Sequence, residues 1–139
     1  MEKQIESTPA LLCKRRGNRA QENHSFILFI NGKIIYKSEA SGLRSLIFCL
    51  KKYRRKMQGA IVFDRVVGRA AALLLSYGGV KKIITPVISR EAIKILERGG
   101  AEVEYGKTVK NIMNRAGTDL CPMEKLSAGK TAEELLEIL

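Results

Sequence analysis

Two short stretches of this chain carry the side chains most able to do chemistry. In the first, Asp64-Arg65-Val66-Val67-Gly68-Arg69-Ala70-Ala71-Ala72, a carboxylate directly follows the apolar run Ala60-Ile61-Val62-Phe63. That run reads as a strand covered on both faces, and the carboxyl end of such a strand is where open α/β sheets bind ligands. Asp64 is placed to accept hydrogen bonds from a ligand, with Arg69 beside it, while Gly68 and the alanines let a ligand or a second backbone come close. A structural reading weighs equally: Asp64 caps a helix from Arg65 to Tyr77, and the small residues let that helix lie near the sheet. Capping and ligand binding at one helix N-terminus are compatible.

The second stretch runs from Asn114 to Glu124. Asn114, Arg115 and the Gly117-Thr118 backbone suit an anionic group. Gly117-Thr118-Asp119 supplies turn chemistry, Pro122 fits the first position of a helix, and Glu124 can reach back toward the cap. Cys121 then sits at the positive end of a short helix, which favours its thiolate, while Asp119 and Glu124 oppose that charge. Cys121 and Asp64 are therefore the candidate catalytic groups. The structural alternative makes Cys121 a half-buried cap residue at the rim of a pocket.

Several chemistries are absent from the sequence. The glycine spacing and Lys-Ser/Thr pair of a phosphate-binding Walker loop are missing. The sole histidine, His24, precedes the first strand, so no local Cys–His pair exists, and Cys13, Cys49 and Cys121 have no metal-type spacing. No metal and no cofactor are expected. The odd number of cysteines fits reduced thiols and a cytoplasmic protein.

The net charge of +11 is unevenly distributed. Between Ser41 and Met57 stand six basic residues, Arg44, Lys51, Lys52, Arg54, Arg55 and Lys56, and no acid; residues 58–139 hold 12 basic against 10 acidic. A local patch of this kind can attract RNA, DNA or an acidic surface. It also suits the negative end of a helix, and Tyr53 is the one aromatic residue interleaved with the cations of Lys51 to Lys56.

The elements that must position these residues follow an α/β order. Thr8-Pro9 opens a short helix that Gly17 stops, and Asn18 to Asn23 reads as a linker, so residues 1–23 form an extension to a single domain over 24–139. Asn31-Gly32 between two β-rich runs marks a hairpin. Leu43, Leu46, Ile47, Leu50, Tyr53 and Met57 recur at helical spacing. After the helix from Arg65, ended by Gly78-Gly79, come a strand over Val80–Val87 broken late by Pro86, a helix capped by Ser89 and an edge strand from Ala101 to Tyr105. Thr131-Ala132-Glu133-Glu134 is a capping box for the last helix. Helical crossovers between short apolar strands imply a largely parallel sheet. With 45% apolar and 28% charged residues, and no apolar run longer than Ala70 to Leu75, the composition fits a globular domain without a membrane span. Nothing in it opposes a homo-oligomer.

The run Asp64 to Ala72, then Gly78-Gly79-Val80-Lys81, Asn114-Arg115 and Cys121-Pro122-Met123-Glu124, resembles a small family of uncharacterised prokaryotic proteins in the cytidine-deaminase-like superfamily. The resemblance covers His24 to Lys125. It implies a three-layer α/β/α sandwich on a five-stranded mixed sheet that opens with a hairpin. It does not imply zinc chemistry. Zinc deaminases need a His or Cys ligand with a glutamate two residues on, and a Pro-Cys-x-x-Cys pair. By element order the first falls near Ser38-Glu39-Ala40-Ser41 and the second at Asp64 to Gly68, and neither place has a ligand of that kind.

Three functions follow as expectations. The first is a small-molecule binding domain for a nucleotide- or nucleoside-like ligand, using Asp64, Gly68, Arg69, Asn114, Arg115, Gly117, Thr118, Cys121 and Glu124. The second is an enzyme without a metal, working through Cys121 or Asp64. The third is an RNA-associated protein that uses Lys51, Lys52, Arg54, Arg55 and Lys56.

Overall fold

A computed structural model describes residues 24–40, 43–113 and 116–139. The expected helix at Thr8, together with Asn114 and Arg115, lies outside the described residues.

The hairpin forms where the Asn-Gly step requires it. Strand β1 (Phe26–Ile30) turns at Asn31 and Gly32, with φ of 55° and 79°, into β2 (Lys33–Ser38). Both turn residues take the left-handed conformation that a two-residue hairpin demands. Helix α1 (Arg44–Lys52) follows, burying Leu46, Cys49 and Leu50. It stops short of the expected Met57. Lys51 and Lys52 fill its last turn, where cations meet the negative helix end, and a further turn of Arg54, Arg55 and Lys56 would have concentrated charge along the same helix. Met57 is buried all the same.

The next segment departs from the expected strand-to-helix step. Strand β3 (Ile61–Asp64) is followed by β4 (Val66–Val67), and helix α2 (Arg69–Gly78) begins only at Arg69, with Gly68 as its N-cap. Asp64 therefore caps no helix. Ile61 pairs Lys82 and Val66 pairs Val87 at one and the same offset, so β3 and β4 are a single strand interrupted at Asp64-Arg65. Strand β5 (Lys82–Ser89) runs on through Pro86. Proline is tolerated there because the pairing on both sides of β5 skips Pro86, so the ladder asks it for no N–H. Helix α3 (Arg90–Arg98), capped by the Ser89 hydroxyl accepting from Ala92 N at 3.2 Å, leads to β6 (Glu102–Val109). Short helices α4 (Pro122–Leu126) and α5 (Ala132–Ile138) close the chain, the latter with the expected Thr131–Glu134 capping box.

The sheet order is β2-β1-β3/β4-β5-β6, with β1 antiparallel to both neighbours and the remaining pairs parallel. Counting β3 and β4 as one strand, it is the expected five-stranded mixed sheet, and β6 is the expected edge, though longer than foreseen. One face, with Phe26, Leu28, Val62, Ile83 and Ile88, packs under the helices against Leu46, Leu50, Ala71, Leu74, Leu75, Leu96 and Leu135. The opposite face buries Ile27, Phe29, Ile61, Phe63 and Ile84. Burial on both faces explains why β1 and β3 are apolar at every position but the last of β3, and among the described residues the helices all pack on the first of the two faces. That exception is Asp64, which lies by alternation on the helix side of the sheet.

Candidate functional site

The interruption at Asp64-Arg65 opens the sheet at its ligand-binding end. On one side β1 runs antiparallel to β3, and on the other β5 runs parallel to it, so the strand direction changes at β3. A cavity of about 330 Å³ lies there, lined by Ser25, Glu39, Leu43, Asp64, Arg65, Val66, Gly68, Ala70, Ala71, Ile112, Met113, Cys121, Met123 and Glu124. The volume is at the lower end of what small-molecule sites use, and an apolar wall with few polar groups is their usual make-up.

Asp64 is the unusual group in it. Burial pushes its carboxyl up from 3.8 to about 8, against the amide N–H groups of Val66 and Arg65 and the Arg65 guanidinium, which pull it down. Near neutral pH the side chain is mostly a neutral acid, with one O–H donor and acceptor capacity to spare. Arg65 is also tied to the start of β1: its N–H donates to Ser25 O at 2.9 Å and its Nη2 donates to His24 O at 3.0 Å.

Gly68 and Glu124 form a second unit. Gly68 has no side chain with which to cap α2. Glu124, from α4, supplies the cap instead: its Oε1 accepts from Arg69 N at 2.9 Å, and its Oε2 accepts from Ile112 N at 3.0 Å. One buried carboxylate thus caps α2 and ties down the strand that leads out of β6. The sequence had suggested that Glu124 reaches back to its own helix start. A five-residue helix gives it no reason to, whereas the bare Gly68 end of α2 offers an unsatisfied N–H. A Cβ on Gly68 would stand 2.9 Å from Ile112 Cγ1 and 3.1 Å from Glu124 Oε1, so the close approach requires glycine.

Arg69 does not line the cavity. Its Nε donates to Ser127 Oγ at 3.1 Å, its Nη1 pairs with Glu91 Oε1 at 2.6 Å, and its Nη2 donates to Glu124 O. The guanidinium fastens α2 to α3 and α4 and stands outside the cavity lining. Gly117 and Thr118 are exposed and stand outside the cavity lining. Their loop is fixed by Asp119, whose carboxyl pairs with Lys125 Nζ at 2.5 Å and accepts from Leu120 N at 2.7 Å. The Lys125 hydrogen bond holds that carboxyl below the usual range. Cys121 does reach the cavity, as its N–H donates to Ile112 O at 2.9 Å and places it beside the Glu124 unit.

Asp64, Gly68, Cys121 and Glu124 therefore meet in one cavity. Sequence reasoning missed Ser25, Glu39, Leu43, Ile112, Met113 and Met123. The hairpin held a clue to two of these: Phe26 pairs Ser38, which sets Ser25 and Glu39 side by side at the open end of β1 and β2.

An open mixed sheet that begins with a hairpin, with a cavity at the end of its central strand beside a helix N-terminus, is an α/β fold of the cytidine-deaminase-like kind. The chain belongs to the TM1506 family, a domain of unknown function (DUF1893), whose profile matches residues 18–139. Its fold is similar to that of the DUF1893 family protein TM1506 from Thermotoga maritima, at 24% identity and a TM-score of 0.81 over 99% of this chain and 88% of that one. RibD from Acinetobacter baumannii is similar over 76% of this chain and 33% of its own, at 20% identity and a TM-score of 0.50. A tRNA:A34 deaminase aligns with 73% of this chain and 91% of its own, at 13% identity and a TM-score of 0.47. No curated protein matches the sequence.

Zinc, which the deaminase-like class brings to mind, does not fit the residues present. Among the described residues no three His, Cys, Asp or Glu side chains gather in a ligating group. Both oxygens of Glu124 already accept backbone N–H groups, and burial favours a protonated Asp64, which makes a poor ligand.

Proposed function

We propose that the protein is a small-molecule binding domain whose ligand is a nucleoside or nucleotide, seated in the cavity at the end of β3. The observation that carries this reading is the Asp64 carboxyl in the wall of a largely apolar cavity of about 330 Å³, where burial pushes it up to about 8. A neutral carboxylic acid donates and accepts at once, which matches the paired donor and acceptor on the edge of a nucleobase. Leu43, Val66, Ala70, Ala71, Ile112 and Met123 supply the apolar contacts that a flat ring needs. The sugar would extend toward Cys121 at the rim of the cavity.

The test is a thermal melt of the full chain against pyrimidine and purine nucleosides and their monophosphates. A ligand at about 100 times its Kd stabilises a fold by roughly 2.7 kcal/mol, a shift on the order of 10 °C for a domain of this size. The expected result is such a shift with at least one nucleoside or monophosphate, absent in Asp64→Ala while the apo melt stays cooperative. A flat panel, or a shift that persists in Asp64→Ala, would exclude the reading.

A further inference from the structure

A second surface joins cations that have no ion pair among the described residues to one exposed and two half-buried aromatic rings. Phe48 is 42% exposed on α1, a high value for so large an apolar side chain. It stacks on Tyr36 of β2 with ring centroids 5.1 Å apart and meets the Tyr53 ring edge-on at 6.5 Å. Lys52 Nζ stands 5.6 Å from the centroids of both Phe48 and Tyr53. The sequence shows Tyr53 alone among the cations; folding the hairpin against α1 brings in Tyr36 and Phe48.

Lys51, Lys52, Arg55 and Lys56 are exposed, and among the described residues none of them forms an ion pair. Arg54 is already engaged, its Cζ 4.2 Å from the Tyr77 ring centroid. The pull of a helix C-terminus accounts for Lys51 and Lys52 in the last turn of α1, but not for Arg55 and Lys56 beyond it, nor for an exposed stacked phenylalanine. Cations without an ion pair among the described residues, next to aromatic faces already held in a stack, are what a flexible polyanion with flat bases recognises.

We propose that the outer face of α1 and the adjoining edge of β2 bind single-stranded nucleic acid, with bases stacked on Tyr36, Phe48 and Tyr53 and phosphates held by Lys51, Lys52, Arg55 and Lys56. Duplexes are disfavoured because their bases are stacked on each other and cannot reach the rings. RNA and DNA share this chemistry.

The experiment is fluorescence anisotropy of the full chain with labelled 12-nucleotide oligo(U), oligo(dT) and a mixed-sequence duplex, at 50 and 200 mM KCl. Four phosphate contacts on a single strand give a slope of about −0.7 each, so affinity falls roughly fifty-fold between the two salt concentrations. Phe48→Ala weakens single-strand binding about tenfold at an unchanged slope, since it removes stacking and no charge. Lys51→Gln/Lys52→Gln/Arg55→Gln reduces the slope to about that of one contact. A preference for oligo(U) over oligo(dT) assigns the strand as RNA, and equal binding assigns either. Failure to bind at 50 mM KCl, duplex binding as tight as single-strand binding, or competition by poly-glutamate as strong as by oligo(U) would each overturn the proposal. A denaturation midpoint near wild type in both variants keeps their binding results interpretable.

Discussion

Replacing Asp64 by asparagine keeps the size and shape of the side chain and removes its proton chemistry. In the wild-type fold the carboxyl loses its proton near pH 8, and in the unfolded chain near 3.8. The folded state thus binds more protons than the unfolded one between those values, and its stability falls as pH rises through them. The stability is fully present below about pH 4, and the penalty is complete above about pH 8. At about 1.36 kcal/mol per pH unit, the interval sets a ceiling of roughly 5–6 kcal/mol. Asp64 borders a cavity, so solvent takes part of that ceiling, and about 4 kcal/mol, the least that keeps the carboxyl neutral at pH 7, is the expected effect. Asparagine carries no charge to desolvate. Asp64→Asn should therefore match wild type at pH 4 and exceed its stability by about 4 kcal/mol at pH 8.5. Urea denaturation of both proteins at pH 4, 6 and 8.5 measures this, with equal m-values showing that the unfolded ensembles agree. A difference that stays flat with pH would show that the carboxyl ionises as it does in water. A less stable Asp64→Asn at pH 8.5 would show that Asp64 serves the fold as an ionised acceptor, and the neutral-acid reasoning would fail.

Other consequences are independent of the ligand. Glu124→Ala strands the N–H groups of Arg69 and Ile112 in a buried place and should cost about 3 kcal/mol in urea denaturation; a loss below ~1 kcal/mol would mean that water replaces the carboxylate. Gly68→Ala brings a methyl to 2.9 Å from Ile112 Cγ1 and should cost on the order of 1–3 kcal/mol, whereas a neutral outcome would show that the loop yields freely. Burial pushes the Cys49 thiol up to about 12, so mass spectrometry of iodoacetamide-treated native protein should find Cys121 modified before Cys49 at pH 8; early labelling of Cys49 would place it at the surface. Leu135→Ala empties a fully buried site under α5 and should cost about 2–5 kcal/mol, and a small loss would mean that α5 packs loosely on α2.

The elements whose signals are local could be read from sequence alone. Asn31-Gly32, the Ser89 cap, the Thr131 capping box and the stop at Gly78-Gly79 each depend on residues within one turn of each other, and each is where expected. Asp64 misled for a physical reason. A carboxylate that caps a helix and one that breaks a strand both turn back onto the next few N–H groups, so the two look alike over the first residues. The discriminating fact is the cap that α2 really uses, Glu124, which lies 55 residues from Arg69 and leaves no local trace. The partners of Arg69 are equally hidden from sequence, since Glu91, Ser127 and the Glu124 carbonyl come together only in the fold. The cavity was half legible: Asp64, Gly68, Cys121 and Glu124 announced themselves by type, while the apolar residues beside them resemble any core residue until the interruption of β3 exposes them.

The most direct measurement of the proposed function is a 1H–15N correlation spectrum of the full chain titrated with the nucleosides and monophosphates of the melt panel. Binding at the end of β3 predicts saturable shifts in the amides of Val66, Gly68, Ile112 and Cys121, with the α1 face around Phe48 unmoved. Spectra that do not change, or shifts confined to Tyr36, Phe48 and Tyr53, would contradict a nucleoside site at Asp64.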